Sequence, residues 1–332
     1  MGLIEDLKDP LAFPEDTKSV SFVQTHISMV FMCDRYVYKI KKPVNFGFLD
    51  FTTIEKRKYF CEKEVELNRR LAEDVYIGVV PVVFDGKRHW IGKKEGKIVD
   101  YAVKMKRIPE ERIMKNIFKR GDLKKEHLRK IAYTLARFHL NAKTSPEILR
   151  YGDPDVFRIN TDENFEQVEK YVGISIEKDK FEKLRKWTDS FYKKREIFEK
   201  RIEQERIRDC HGDLHMEHVC ISDKISVIDC IEFNDRFRYG DTICDIAFLL
   251  MDLEYHGGKV YSEKLWDYYR EFAKEEDKEV EEILRFYKVY RAFVRGKVNS
   301  FQMDDEKISA QEKEEARKRA KAYFDLAYSY IS

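Results

Sequence analysis

Residues 210 to 233 read CHGDLHMEHVCISDKISVIDCIEF and gather three histidines, three cysteines and several acids in one short span. Asp213 follows Gly212, where the backbone can turn sharply, and His218 lies just before the apolar triplet VCI, which should begin a strand. A turn through Ser222-Asp223-Lys224 then leads into ISVIDCIEF, whose apolar run breaks at Asp229. Two carboxylates and an imidazole would thus converge at one end of a small hairpin. That set suits a divalent ion beside a general base.

Three chemistries compete for it. Cys210, His211, His215 and His218 are borderline-soft ligands for a structural zinc, but they lack a CxxC pair or two histidines in an established helical context. Local hydrogen bonding would account for any one of these groups alone. Phosphoryl transfer asks for more: a base at the acceptor hydroxyl, metal ligands for nucleotide phosphates, and a strand lysine held by a helix glutamate. The spacing from Asp213 to His218, with Asp229 following across the hairpin, matches the arrangement of base and metal ligands that this chemistry uses.

The lysine must come from a strand. In YVYKIKK, Val37, Lys39 and Lys41 share one face and Tyr38 and Ile40 the other, so either lysine can point toward a cleft while Ile40 is buried. Apolar and β-branched residues from Ser19 to Ile40, broken at Cys33-Asp34-Arg35, predict a hairpin. Thr52 or Thr53 should cap a helix through IEKRKYFCEKEVELNRRLA, with Tyr59, Phe60, Leu67 and Leu71 as its apolar face. Strands then return, with turns at Asp85-Gly86 and Glu95-Gly96. After Pro109 the pattern becomes helical, interrupted only around residues 208 to 233. The expected division is an N-terminal lobe over residues 1–107 and a C-terminal lobe over 108–332.

HGDLHMEH resembles the HGDxHxxN catalytic loop of the aminoglycoside phosphotransferase superfamily, GDTICDIAFL its GDxxxDLA segment, and LARFH its LAxLH helix end. THISMVF, VYKIKKPVNFGFLDFTTIEKR, LNRRLAEDVYIGVVPV and IDCIEFNDRFRYGD are similar to a little-characterised bacterial branch of that superfamily. Some members of the branch carry an added P-loop domain; this chain contains no GxxxxGK[ST], so that domain is not expected in it. The resemblance implies an α+β, two-lobed protein-kinase-like fold, with a small antiparallel-sheet N-lobe and a larger helical C-lobe. It implies ATP and Mg²⁺ as cofactors, with Mn²⁺ as an alternative, and transfer of the γ-phosphate to a hydroxyl of a small-molecule acceptor. Asp213 becomes the catalytic base, Asp229 a metal ligand, and His218 stands where the family has a metal-binding Asn. Lys39 becomes the nucleotide lysine and Glu64 its helix partner, ahead of Glu62 and Glu66. Ser28 and its turn replace a glycine-rich loop as the phosphate contact, and backbone around Val103 and Met105 should meet the adenine edge. Asp245 should accept backbone N–H groups of the catalytic loop, and His211 should pack beneath it, donating to a carbonyl.

Composition excludes more than it assigns. The 332 residues include 64 basic and 62 acidic ones, and the formal charge of +2 offers no general attraction to nucleic acid or membrane. There is no run of about 18 apolar residues, and the first residues lack a basic segment followed by an apolar core, so a cytoplasmic protein is expected. Six cysteines without a CxxC pair are expected as reduced thiols. The His218 departure keeps a second reading open, a catalytically weak nucleotide-binding sensor or partner-binding module. The sequence fixes neither the acceptor, the choice of ATP over GTP, nor the oligomeric state.

Overall fold

The computed structural model describes residues 2–332 and divides into two compact units. Of the described residues, the first comprises 2–122 with 217–235, the second 123–216 with 236–332. The sequence-level boundary at 107/108 differs from this division in two places, because the next fifteen residues and the hairpin at 217–235 group with the first unit.

The first unit opens with α1 (Leu3–Leu7) and continues through β1 (Ser21–Gln24), β2 (Ser28–Met32), β3 (Tyr36–Lys41), α2 (Ile54–Ala72), β4 (Tyr76–Phe84), β5 (His89–Ile91), β6 (Lys97–Lys106) and α3 (Met114–Lys119). Its six strands form an antiparallel sheet in the order β1-β2-β3-β6-β4-β5. The expected turn at residues 33–35 joins β2 to β3. Gly96, at φ 117°, lies where an added Cβ would sit 2.6 Å from the Phe84 carbonyl oxygen, so the return from β5 to β6 requires glycine.

Register divides the sheet's two faces. Lys39 lies opposite Val30 and Val103, Lys41 opposite Ser28, and Val37 opposite Met105, so these seven residues share a face. Tyr38, Ile40, Phe31 and Ala102 turn the other way, into a core with Leu7, Ala12 and Phe13. Helix α2 covers the lysine face, burying Cys61, Val65 and Ala72 against Tyr76 and Val103. Thr53 caps it, its Oγ1 accepting from the Lys56 N–H at 3.3 Å. The expected apolar face is only partly right: Leu67 is buried but Tyr59 is 57% exposed. The stripe that packs inward instead includes Arg57, Glu64 and Asn68, polar residues engaged in specific bonds.

The second unit runs through α4 (Lys125–Asn141), α5 (Pro146–Leu149), α6 (Pro154–Val168), α7 (Lys178–Phe191), α8 (Arg195–Glu203) and β7 (Ile207–Asp209). The hairpin of β8 (Val219–Ile221) and β9 (Ile225–Val227) belongs to the first unit, and α9 (Asp235–Arg238) straddles the boundary. The second unit resumes with β10 (Tyr239–Asp241), α10 (Thr242–Tyr255), α11 (Lys259–Ala273), α12 (Val280–Gln302) and α13 (Ala310–Ser329). Helix α10 is buried from Thr242 through Leu253, as ICDIAFLLMDL suggests, and joins Phe165, Leu184, Phe293 and Phe324 in the core. Among the described residues, no helix is long and apolar enough to cross a membrane. All six cysteines are buried outside any disulfide, and burial pushes Cys33, Cys61, Cys220 and Cys244 up to about 12.

One buried ion cluster sets the start of α10. Asp241 caps the helix, its Oδ1 accepting from the Ile243 N–H at 2.9 Å. Arg201 grips both Asp241 oxygens at 2.8 and 2.9 Å and both Glu275 oxygens at 2.5 and 3.0 Å. Removing the cation would leave two buried carboxylates facing each other. Arg201→Met is therefore expected to lose about 3–5 kcal/mol in chemical denaturation. Arg195→Met, which breaks an exposed pair with Asp155, should lose less than about 1 kcal/mol.

Candidate active site

Lys39 and Lys41 both reach Glu64. Lys39 Nζ is 3.0 Å from Glu64 Oε1, and Lys41 Nζ donates to Oε2 at 2.7 Å. Lys39 also donates to Asp229 Oδ1 at 2.6 Å, and Lys41 to Glu232 Oε1. Two ammoniums thus alternate with three carboxylates, and the shared central acid is Glu64, fully buried on α2. Among Glu62, Glu64 and Glu66, the phase of α2 turns Glu64 inward, whereas Glu62 and Glu66 form surface pairs with Lys58 and Lys63. Burial works against the charge on each lysine, but the fields of Asp229, Glu64 and Glu232 hold the Lys39 pKa above its usual value. Burial pushes Glu232 up, partly offset by Lys41, while the two lysines outweigh burial at Glu64 and hold it down.

The members differ in exposure, which separates their roles. Lys41 and Glu232 side chains are 1% and 5% exposed, while Lys39 is 14% and Asp229 44% exposed. Asp229 is the end of the chain of charges that solvent can reach. Its backbone takes φ 63°, a left-handed conformation that a non-glycine residue adopts only when its surroundings enforce it. Those surroundings are polar and specific. The Asp229 N–H donates to Tyr76 Oη at 3.1 Å, the Cys230 N–H to Asn68 Oδ1 at 2.9 Å, and Asn68 Nδ2 to the Glu64 carbonyl at 2.9 Å. His218 Nε2 lies 3.5 Å from Asp229 Oδ2, and the His218 carbonyl accepts from the Ile228 N–H at 3.0 Å. One carboxylate and one imidazole, presented at the base of the β8–β9 hairpin, form a donor set that a divalent cation fits. The imidazole favours Mn²⁺ more than an amide oxygen would.

Other expected nucleotide contacts look different in place. Ser28 is 1% exposed beside Lys41, and its Oγ has no hydrogen-bond partner. The N–H groups of Ile27 and Ser28 donate to Thr25 Oγ1 at 3.3 and 3.0 Å, so this turn already uses the two donors expected to meet a phosphate. Val103 and Met105 lie inside β6 with a strand on either side, which directs their backbone groups into the sheet. Just beyond, the Lys106 and Arg107 N–H groups donate to Val75 and Arg35 carbonyls, each at 2.9 Å. The side chains of Val103 and Met105 lie on the lysine face.

In the second unit Asp213 sits on a loop held from three helices. Asp245 of α10 accepts from the His211 N–H at 2.9 Å and the Gly212 N–H at 2.8 Å, the role expected of it. His139, the histidine of LARFH on α4, places Nε2 3.1 Å from Asp245 and Nδ1 2.7 Å from Tyr269 Oη. Two motifs more than a hundred residues apart in sequence thus meet in one contact. Burial opposes the Asp245 charge, but His139, His211 and Arg291 hold its carboxyl far below the usual range. Arg291 of α12 donates to the Gly212 carbonyl at 3.0 Å, and Asp252 accepts from the Met216 N–H at 3.0 Å. Gly212 takes φ 87°, as the sharp turn demanded. His211 Nδ1 accepts from the Asp213 N–H at 3.3 Å, which puts its ring proton on Nε2. His215 Nε2 lies 3.5 Å from Asp213 Oδ2; burial opposes its charge, but that carboxylate raises its pKa. Cys210 Sγ is engaged with the Gly240 carbonyl at 3.4 Å and gathers with His139 and Asp245, not with the His211, His215 and His218 of the zinc reading.

The two lysines predict different losses. Lys41→Met strands Glu232 in the interior, leaves Glu64 with Lys39 alone, and should cost about 3–5 kcal/mol by denaturant titration. Lys39→Met should cost less, because its partner Asp229 keeps nearly half its surface in water.

Comparison with known proteins follows the same division of motifs. The chain is 30% identical over 299 residues to uncharacterized proteins of Mycobacterium tuberculosis and Mycobacterium bovis, covering 89% of itself and 57% of each relative. It therefore spans a little over half the length of the curated relatives it matches. Among solved structures it is similar to an aminoglycoside 2'-phosphotransferase-IIIa in its GDP complex, at 13% identity, 94% coverage of both chains and a TM-score of 0.52. It is also similar to an amicoumacin kinase, at 14% identity, 92% and 88% coverage and a TM-score of 0.51. A choline/ethanolamine kinase family protein from Mesorhizobium loti gives 12% identity, 95% and 92% coverage and a TM-score of 0.51. These likenesses establish a two-lobed, protein-kinase-like α+β fold. With residues 52–283 matching its family model, the chain belongs to the phosphotransferase enzyme family.

Proposed function

We propose that this protein transfers the γ-phosphate of ATP to a hydroxyl of a small-molecule acceptor. The observation that carries the reading is the Lys39–Glu64 pair ending on solvent-accessible Asp229, the lysine, helix acid and metal-facing acid that phosphoryl transfer requires. Family membership supports it. So do the contents of two similar structures, one with GDP and one with AMP-PNP and Ca²⁺.

Asp213 orients the acceptor hydroxyl and takes its proton as the new oxygen–phosphorus bond forms. The bond from the γ-phosphorus to the bridging oxygen breaks, and ADP leaves. His215 steadies the Asp213 carboxylate, and Asp245, Arg291 and Asp252 hold the loop so that little reorganisation is needed during reaction. Lys39 contacts the nucleotide phosphates, kept charged by Glu64. Asp229 and His218 would hold a divalent cation, which when bound offsets phosphate charge.

Labelled γ-phosphate should pass from ATP to an acceptor in a metabolite pool. Asp213→Asn should lower kcat by about 10²–10⁴-fold while nucleotide binding persists. ATP binding without any phosphorylated hydroxyl compound, and with Asp213→Asn indistinguishable from the parent, would instead establish a nucleotide sensor. His218→Asn exchanges imidazole for an amide oxygen, so the ratio of Mg²⁺- to Mn²⁺-supported transfer should rise, as read from parallel metal titrations.

A further inference from the structure

Two arginines one helical turn apart on α12 flank the Asp213 loop, and they are bonded very differently. Arg291 bonds backbone at two points: Nη1 donates to the Gly212 carbonyl at 3.0 Å, Nε donates to the Cys244 carbonyl at 3.2 Å, and the guanidinium lies 5.0 Å from the Phe248 ring. Arg295 has no carboxylate within ion-pair distance among the described residues, and its buried Nε has no hydrogen-bond partner. Its guanidinium lies 5.6 Å from the Tyr323 ring. The Tyr323 hydroxyl in turn donates to Asp252 Oδ1 at 3.5 Å, and the other Asp252 oxygen holds the Met216 N–H at 3.0 Å. Arg291 thus meets the start of the loop, and Arg295 borders its end.

A guanidinium stays charged at any physiological pH and presents five donors in a fixed plane. Leaving one of them buried and unused is costly unless a ligand oxygen completes it. Burial opposes the Arg295 charge, but Tyr323, which also hydrogen-bonds it, Asp213 and Asp252 hold its pKa above the usual value.

The surrounding charges point the same way. On α6, which packs against α12, the Glu163 carboxylate is already gripped by both Arg236 Nη atoms at 2.8 and 2.7 Å. Asp162 and Asp189 are taken by Arg158. Lys297 bonds only the neutral side-chain oxygens of Asn164 and Gln167, at 2.6 and 2.8 Å. These acids are committed to protein cations, whereas a polycationic acceptor would need them open. An anion meets cationic and amide groups instead.

We infer that Arg295 holds an anionic group of the acceptor, and that the acceptor therefore carries a carboxylate or phosphate in addition to the hydroxyl presented to Asp213; this rests on the transferase reading above. Arg295 is a specificity residue, gripping the part of the substrate that does not react.

Calorimetric titration of the full chain with ADP and Mg²⁺ present tests this. The probes are D-glycerate and glycerol 3-phosphate as anions, glycerol as their neutral counterpart and choline as a cation. The two anions distinguish a carboxylate from a phosphate. Either anion should bind more tightly than glycerol, Arg295→Gln should weaken it about 10- to 100-fold, and Arg295→Lys should restore part of the loss. Unchanged ADP affinity in Arg295→Gln verifies that the variant is folded. The inference is overturned if neither anion outbinds glycerol, if choline binds in preference, or if anion binding survives Arg295→Gln. Equal loss of kcat for every acceptor in Arg295→Gln, at unchanged KM, would place the arginine on the transferred phosphoryl group and overturn it too. Anion binding that persists in a protein unable to transfer phosphate counts against the transferase reading alone. Transfer to a neutral hydroxyl compound, indifferent to Arg295→Gln, counts against this inference alone.

Discussion

Everything in the first unit depends on one buried carboxylate serving two lysines. Two ammonium groups cannot be taken out of water beside one another unless acids stand between and around them. Glu64 supplies the acid between, with one oxygen for each lysine, and Asp229 and Glu232 supply the outer ones. The requirement reaches into the backbone. β3 must keep Lys39 and Lys41 on the same face, so its register with β2 and β6 cannot slip by one residue without turning both charges into the Tyr38–Ile40 core. α2 must present Glu64 at the right phase, even though Glu64 and Asn68 interrupt its apolar stripe. The β8–β9 hairpin, from much later in the chain, must bring back Asp229 and Glu232.

The second unit meets a similar problem with the opposite sign. Its loop is short, turns at a glycine, and has N–H groups facing inward. Asp245 and Asp252, both on the most apolar helix of the unit, collect those N–H groups, and Arg291 takes the carbonyl. Asp245 is in turn oriented by His139, and α10 is anchored by the Arg201 cluster. Each layer of support is itself a buried polar group bonded to the next, which is how a polar network contributes stiffness.

Much of this was legible in the chain. Strand parity alone placed Lys39 and Lys41 on one face and Ile40 in the core, and the HGD and GDxxxD segments marked the loop and its supporting acid. The sequence favours Lys39 over Lys41 as the nucleotide lysine; both pair with Glu64, Lys39 at the accessible end of the charge chain and Lys41 deep inside it. Tyr59 was misplaced because helical periodicity ranks residues by apolarity, while α2 turns Arg57, Glu64 and Asn68 inward to satisfy partners elsewhere in the chain. Arg201, Arg291 and Arg295 were invisible for a related reason. In helices this rich in charge most cations face water, and only the packing of α8 and α12 shows which few are enclosed. The grouping of residues 217–235 with the first unit likewise follows from spatial return, which no local pattern encodes.

Asn68 has a mechanical meaning. It bonds the Cys230 N–H with one side-chain atom and the Glu64 carbonyl with another, while Tyr76 holds the Asp229 N–H. The helix that carries Glu64 and the loop that carries Asp229 are thus riveted together at the backbone as well as through their charges. Many protein kinases are switched by swinging the equivalent helix away and breaking its lysine–glutamate pair. Here that swing would break the Asn68–Cys230 hydrogen bond and strand two lysines in the same movement. The charge assembly is thus tied to the helix and to the loop at once.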